Sequence, residues 1–373
     1  MGMENHRCHG KGPHYKKKVT IKAKVVANTT GVWIDSLRKL DDPKAENVLA
    51  PSQGIHLVFD KAKLPCRTAM IIPKTADGRV VFVIPWEGKV LLGTTDTPIQ
   101  KIEEEPLPLA SEVEFLLKTG NDYLDTKLTK DDIESVFSGL RPLISTGDKK
   151  DTKSISREEA ILVSESGLVT MSGGKWSTFR KMAEDLTDKL ISVGNLPLKM
   201  NCVTASFAFP GADGYSKHLV AKVQTMYDLS YETSVRLVDA YGGEVAFILG
   251  KKPKELKKGS GYFLEEIKHF VKKEFALSVT DVLSRRWRVV FLDLVCASLA
   301  IPVTNALAKE LGWKETEKKS SLNELLNHIK DLEKNNKVKN EKAKSISVWL
   351  VRNDKKSYLI PFLLTRANSG FWD

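Results

Sequence analysis

The stretch Met171-Ser172-Gly173-Gly174-Lys175-Trp176-Ser177-Thr178-Phe179-Arg180 joins two patterns of different period. Before it, residues 160–164 and 168–172 read as a β-hairpin around Glu165-Ser166-Gly167. After it, Phe179, Met182, Ala183, Leu186 and Leu190 recur at helical spacing, which predicts a helix from Trp176 to about Ile191. Gly173 and Gly174 therefore fall between a strand and a helix N-terminus. There the unbonded N–H groups and the helix dipole favour negative charge, and glycine lets a ligand approach the backbone closely. Lys175 adds a full positive charge. The predicted ligand is phosphorylated or otherwise anionic. The loop is not a Walker A motif, which needs glycine five residues before Gly174, where Val169 stands.

A junction of this kind belongs to an α/β fold, and the rest of the chain has the size to build one. Its 373 residues are enough for two or three domains, and its 42% hydrophobic and 28% charged composition is that of an ordinary soluble protein. The formal net charge of +11 suits anionic partners. Cys8, Cys66, Cys202 and Cys296 are far apart, which argues against a disulfide framework and for a reducing compartment. The first 18 residues are basic and His-rich, and are predicted to be a disordered lead without a secretory signal. His6, Cys8, His9 and His14 lack a second ligand pair at zinc spacing, so no metal site is predicted. The longest apolar stretch, residues 289–303, contains Asp293 and ends near Pro302; it is too short to span a bilayer and reads as a buried helix.

Residues 19–27 alternate as a strand that runs into Asn28-Thr29-Thr30-Gly31 and then a helix over 33–40. Small polar residues and glycine between strand and helix are how α/β folds approach a cofactor. Residues 54–97 read as β, with a hairpin across Trp86-Glu87-Gly88 followed by Gly93-Thr94-Thr95-Asp96. Ser111 with Glu114 predicts a capping box, and a second helix is predicted from Thr129. Residues 136–140 form a strand that delivers Arg141, and Pro142 fixes an extended backbone after it. Past Pro210 four helices are expected, over 215–228, 231–249, 262–274 and 279–299. Arg285, Arg286 and Arg288 surround Trp287 and suggest an interdomain contact rather than a nucleic-acid patch. Residues 315–344 read as a solvated helix and a flexible stretch, and 345–373 show no placeable pattern.

In this order the segments resemble one family, the FAD-dependent, quinone-linked glycerol-3-phosphate dehydrogenases. Val25-Val26-Ala27-Asn28-Thr29-Thr30-Gly31-Val32-Trp33 resembles the family's NATGPW strand end. Pro51-Ser52-Gln53-Gly54-Ile55-His56, Ile84-Pro85-Trp86-Glu87-Gly88 and Gly93-Thr94-Thr95-Asp96-Thr97-Pro98 resemble its substrate-domain sheet. Ser138-Gly139-Leu140-Arg141-Pro142-Leu143 and residues 172–180 resemble its second cofactor segment, and Asp281-Val282-Leu283-Ser284-Arg285-Arg286 with Leu311-Gly312-Trp313 its helical domain.

The resemblance implies oxidation of sn-glycerol 3-phosphate to dihydroxyacetone phosphate, with hydride transfer to FAD and electrons passed to quinone. It implies that Arg141, Arg157 and Lys175 bind the substrate, with Arg141 and Lys175 on its phosphate, and that His56 lies in the pocket as a base or hydrogen-bond partner. Gly173, Gly174, Lys175, Trp176, Ser177 and Thr178 would face the flavin, and Asn28, Thr30 and Gly31 its diphosphate side. The implied fold is α/β plus α. An incomplete doubly wound FAD-binding domain with an antiparallel substrate-domain sheet covers 19–205, a helical domain covers 206–314, and a charged tail covers 315–373.

The family's G-x-G-x-x-G unit has no counterpart among these residues, so the chain resembles the C-terminal portion of such an enzyme. Impaired activity in this chain alone, and no flavin in the purified chain, are expected on that account. A separately encoded N-terminal half would restore both. The alternative is an inactive remnant that acts only as a binding protein. The expected location is cytoplasmic, with peripheral docking on an anionic inner membrane face compatible with the charge. Nucleic acid is the weakest partner class, because the basic residues are dispersed and lack an aromatic platform.

Overall fold

The computed structural model describes residues 6–10, 19–75, 78–145, 159–197, 200–292 and 295–334. It divides into two compact units, Met1–Ala246 and Phe247–Asp373.

Residues 1–18 were expected to be a disordered lead, yet β1 (His6–Gly10) lies within them and pairs antiparallel with β2 (Val19–Ala23). Backbone pairing outweighs the polar composition there. The expected strand over 19–27 is thus two strands in different sheets. The second, β3 (Val26–Asn28), leads through a 3₁₀ turn at Gly31–Trp33 into α1 (Ile34–Asp41). The Asp35 carboxylate accepts the backbone N–H groups of Val48 and Leu49, which fixes the chain as it leaves α1.

The next segment builds an antiparallel sheet from β4 (Ser52–Asp60), β5 (Met70–Ile72), β6 (Val81–Trp86), β7 (Lys89–Gly93) and β8 (Thr97–Pro98). Glu87 and Gly88, both at positive φ, make the two-residue turn between β6 and β7, whose ends Trp86 and Lys89 pair. After α2 (Ala110–Tyr123), residues 130–132 make a single 3₁₀ turn and the chain enters β9 (Ile133–Arg141) directly. The predicted helix at Thr129 is therefore a strand. Asp132 caps the turn by accepting the Thr129 N–H, and β-branched residues beyond it find a partner in β4. The strand order is β5-β6-β7-β4-β8, with β9 on β4 as well.

β4 sets the two faces of this sheet. Gln53, Ile55 and Leu57 point one way, and Ser52, Gly54 and His56 the other. α2 packs on the first face: a Cβ on Gly120 would sit 3.0 Å from Leu92 Cδ2. Its cap is the Glu112 carboxylate, which accepts the Leu109 N–H, rather than the Ser111–Glu114 pair predicted.

β10 (Glu159–Val163) and β11 (Leu168–Gly173) form the predicted hairpin, and β11 pairs parallel with β3. A 3₁₀ turn, Trp176–Thr178, opens α3 (Phe179–Val193). Its buried seam is narrower than predicted. Met182, Leu186, Leu190 and Val193 pack with Val169, Met171, Val25 and Ile161, while Phe179 and Ala183 remain exposed.

The helices are α4 (Leu219–Tyr227), α5 (Tyr231–Tyr241), α6 (Val245–Leu249), α7 (Leu264–Glu274), α8 (Val289–Leu292), α9 (Val295–Leu311) and α10 (Glu315–Lys334). A π-helical segment, Asp281–Arg286, precedes α8. The arginines predicted for an interdomain contact have partners within the helical unit: Arg285 bonds Asp281, and Arg286 bonds Glu274. Trp287 is buried and donates its indole N–H to Glu266. α9 continues through Pro302. α10 is not a solvated tail, because Leu322, Leu325, Leu326 and Ile329 are buried and Ser321 Oγ accepts the Val279 N–H. Residues 335–373 lie outside the described residues. No described helix is long and apolar enough to cross a membrane.

Candidate functional site

His56 and Arg141 meet on the face of the antiparallel sheet opposite α2. The register of β4 with β9 sets Ser52 against Arg141, Gly54 against Gly139, and His56 against Phe137. Arg141 reaches back across the sheet, and its guanidinium lies over Gly54 so closely that a Cβ there would collide with it. Glycine at 54 is thus needed for close packing and not for an unusual φ. Arg141 Nη2 donates to Thr94 Oγ1 at 3.2 Å, and Nη1 stands 3.6 Å from Asp96 Oδ1. Asp96 is itself held by Arg79, which donates to its carbonyl.

The His56 ring leans over Gly93, where again a Cβ would collide, and stacks on Phe137 with centroids 5.2 Å apart. Burial, aided by the Arg141 charge, lowers the His56 pKa to about 4. The imidazole is therefore neutral at physiological pH.

Behind this face the Glu112 carboxylate collects four donors. Gln53 Nε2 and the Leu109 N–H bond Oε2, and the hydroxyls of Thr95 and Thr97 bond Oε1. Thr95 also accepts the Ile55 N–H. The loop that presents Thr94 and Asp96 to Arg141 is thereby fastened to both α2 and β4. The sequence marks Thr94, Thr95 and Asp96 only as the segment that follows the hairpin and as part of the family resemblance. It missed Gly54 and Glu112, whose parts depend on cross-strand register and on an unpredicted helix cap.

The Gly-Gly-Lys loop is formed as predicted. Gly173 and Gly174 have φ of 82° and 71°, and a Cβ on Gly174 would collide with Met182. Thr178 closes the turn: its Oγ1 accepts the Lys175 N–H at 3.2 Å and donates to the Lys175 carbonyl at 2.9 Å. Lys175, Trp176, Ser177 and Thr178 are exposed, Trp176 at 89%. Ser172 Oγ donates to the Pro142 carbonyl at 3.5 Å, so the segment before this loop is tied to the residue after Arg141.

Asn28, Thr30 and Gly31 sit at the C-terminal end of β3. Because β3 and β11 are parallel, the loops leaving them emerge at the same sheet end, where α/β folds bind ligands. Gly31 has φ of 60° and open space beside it. The Asn28 side chain, expected to line the diphosphate, is fully buried and turned inward. Its amide donates to the Ile34 carbonyl and Thr170, while its oxygen accepts from Thr30. Its part is to organise the loop. Arg157 lies outside the described residues. No group of His, Cys, Asp and Glu able to hold a metal occurs among the described residues.

Two glycine-bearing loops thus leave a parallel strand pair, and the antiparallel sheet carries a buried histidine and an arginine on one face. Residues 4–179 match the family described as FAD dependent oxidoreductase, and residues 202–318 match the C-terminal domain of alpha-glycerophosphate oxidase. The probable mitochondrial glycerol-3-phosphate dehydrogenase of Dictyostelium discoideum is 36% identical over 330 residues, 85% of this chain and 52% of that protein. The mitochondrial glycerol-3-phosphate dehydrogenase of Mesocricetus auratus is 36% identical over 316 residues, 81% of this chain and 43% of that protein. The crystal structure of the glycerol-3-phosphate dehydrogenase of Bacillus halodurans complexed with FAD superposes with a TM-score of 0.71 at 30% identity, covering 84% of this chain and 64% of that one. The chain belongs to the FAD-dependent glycerol-3-phosphate dehydrogenase family. It spans about half the length of the curated relatives it matches.

The residues present fit a share of an FAD site. Gly31, Gly173 and Gly174 open the backbone at one sheet end, and the exposed helix start at Trp176 supplies N–H groups for an anionic or electron-rich ring edge.

Proposed function

We propose that this chain supplies the substrate site and part of the FAD site for oxidation of sn-glycerol 3-phosphate to dihydroxyacetone phosphate, within glycerol metabolism. The observation that carries the reading is the placement of Arg141 beside neutral His56 on one sheet face, with the guanidinium packed closely over Gly54.

Arg141 offers a planar fork to the substrate phosphate, and Lys175 a point charge. Thr94 and Asp96 hold the fork in place. His56 accepts the proton of the C2 hydroxyl as the C2 hydride departs. When bound, FAD supplies the hydride acceptor, from which quinone draws the electron pair. Trp176, Ser177 and Thr178 border the flavin, and the loop of Asn28, Thr30 and Gly31 its diphosphate. Arg157 joins the substrate set on family resemblance.

Full FAD affinity requires a polypeptide carrying the G-x-G-x-x-G unit. Two features support this. β3 ends the three-stranded sheet, with no strand on its outer edge among the described residues. Trp176, Phe179 and Phe209 form an exposed aromatic run next to the Gly-Gly-Lys loop, with centroids 5.7 and 6.5 Å apart. Peripheral attachment to an anionic membrane belongs to the same reading and is supported by the +11 charge.

The test is reconstitution. The purified chain should show no flavin absorbance alone. Mixed with a complementary G-x-G-x-x-G polypeptide and FAD, it should form dihydroxyacetone phosphate with a quinone acceptor. Arg141→Met should lower kcat/KM by roughly 100-fold, the equivalent of about 3 kcal/mol from a lost charge-assisted pair. A reconstituted, flavin-loaded pair without turnover would leave the binding-only alternative, and unchanged kinetics in Arg141→Met would remove Arg141 as the anchor.

A further inference from the structure

Three glycines lie on the substrate-facing side of the sheet, and the structure treats them differently. Gly54 lies under the Arg141 guanidinium and Gly93 under the His56 ring, so the protein's own side chains fill the space above both. Gly139 pairs directly with Gly54 across β4 and β9, and sits between Phe137 and Arg141 at alternate positions of β9. It is exposed, and a Cβ built on it meets nothing within 4 Å. Its φ is not in the left-handed region, so neither backbone conformation nor packing calls for glycine here.

Beside Gly139 lies the gap between the two groups that would handle a ligand. Arg141 stands on one side, and the His56–Phe137 stack on the other. A side chain at 139 would project into that gap. We propose that Gly139 determines specificity by leaving the slot through which the carbon chain of a small phosphorylated polyol runs from the Arg141 anchor toward His56. This rests on the reading of the site given under Proposed function. Inorganic phosphate needs only the anchor; glycerol 3-phosphate needs the slot as well. Substitution at 139 should therefore separate the two ligands.

The full chain is titrated with inorganic phosphate and with sn-glycerol 3-phosphate, followed by NMR, in wild-type, Gly139→Ala, Gly139→Val and Arg141→Met forms. Thermal melting checks folding. Gly139→Ala should melt at or above the wild-type temperature, because alanine restricts the unfolded chain. Its phosphate affinity should stay within about twofold of wild type, while glycerol 3-phosphate binding weakens by about tenfold or more, the effect of one added methyl where the ligand's carbon chain must lie. Gly139→Val should weaken it further. Arg141-dependent glycerol 3-phosphate binding that Gly139→Ala leaves at wild-type strength would overturn the slot and spare the anchor. Wild-type binding insensitive to Arg141→Met, or no binding at all, would overturn the underlying reading and the slot with it.

Discussion

His56 shows how one residue's chemistry depends on its neighbours. Its sequence context identifies only an imidazole in a β segment. Burial under Phe137 and over Gly93, with Arg141 nearby, lowers its pKa to about 4. Below pH 6.5 the unfolded chain takes up a proton at this position that the native chain refuses until about pH 4. His56 therefore makes stability fall as pH drops from about 6.5 to about 4, then no further. Following the ring protons by NMR should show no titration near pH 6.5. In Arg141→Gln the His56 pKa should rise only part of the way back, since burial is the larger cause. A return to 6.5 would mean that charge dominates.

Glu112 is the second residue whose part comes from its surroundings. Replacing it with Gln puts an amide N–H₂ against donors that now share a carboxylate. Glu112→Gln should cost about 2–3 kcal/mol in urea unfolding. It should also loosen the loop that holds Arg141, so phosphate affinity should fall with stability.

At the level of elements, the hairpins and the Gly-Gly-Lys junction were legible because turn glycines and strict periodicity are local signals. Glu87-Gly88 and Gly173-Gly174 occupy the positive-φ positions their sequence suggests. Gly174→Ala combines φ of 71° with a collision against Met182, and should destabilise by more than about 1 kcal/mol in thermal unfolding. Gly139→Ala, at ordinary φ, should not. The errors arose where local and nonlocal forces disagree. Thr129 with Asp131 and Asp132 carries the chemistry of a helix start, but pairing with β4 draws residues 133–141 into the strand β9. Residues 19–25 alternate apolar with polar and run on into Val26 and Ala27, yet β2 and β3 answer to different partner strands. In the Asn28–Gly31 loop, the Asn28 side chain turns inward because buried amides must find partners and Thr170 and Ile34 supply them.

Across the whole molecule, the helical unit extends further than charge patterning suggests. Lys, Glu and Asn dominate residues 315–334, but one face of α10 carries Leu322, Leu325, Leu326 and Ile329 into the core. Leu325→Ala or Ile329→Ala should each cost about 2–5 kcal/mol, and circular dichroism melts of the full chain would report it. A solvated tail would show no change. The π-helical segment is part of the same core, where Ser284 Oγ bonds His328 Nε2 of α10 at 2.9 Å.

The sequence alone determined the class of fold, the Gly-Gly-Lys loop at residues 173–175 between strand and helix, the family, and Arg141 and His56 as residues to test. Those come from periodicity, turn chemistry and motifs, all of them short-range. Only the tertiary structure decided how Arg141 lies over Gly54, why His56 is neutral, which carboxylate fastens the Thr94–Asp96 loop, and why Gly139 stands open between Arg141 and Phe137. Those depend on the register of β4 against β7 and β9, and register is fixed by contacts between residues tens of positions apart, which no local pattern encodes.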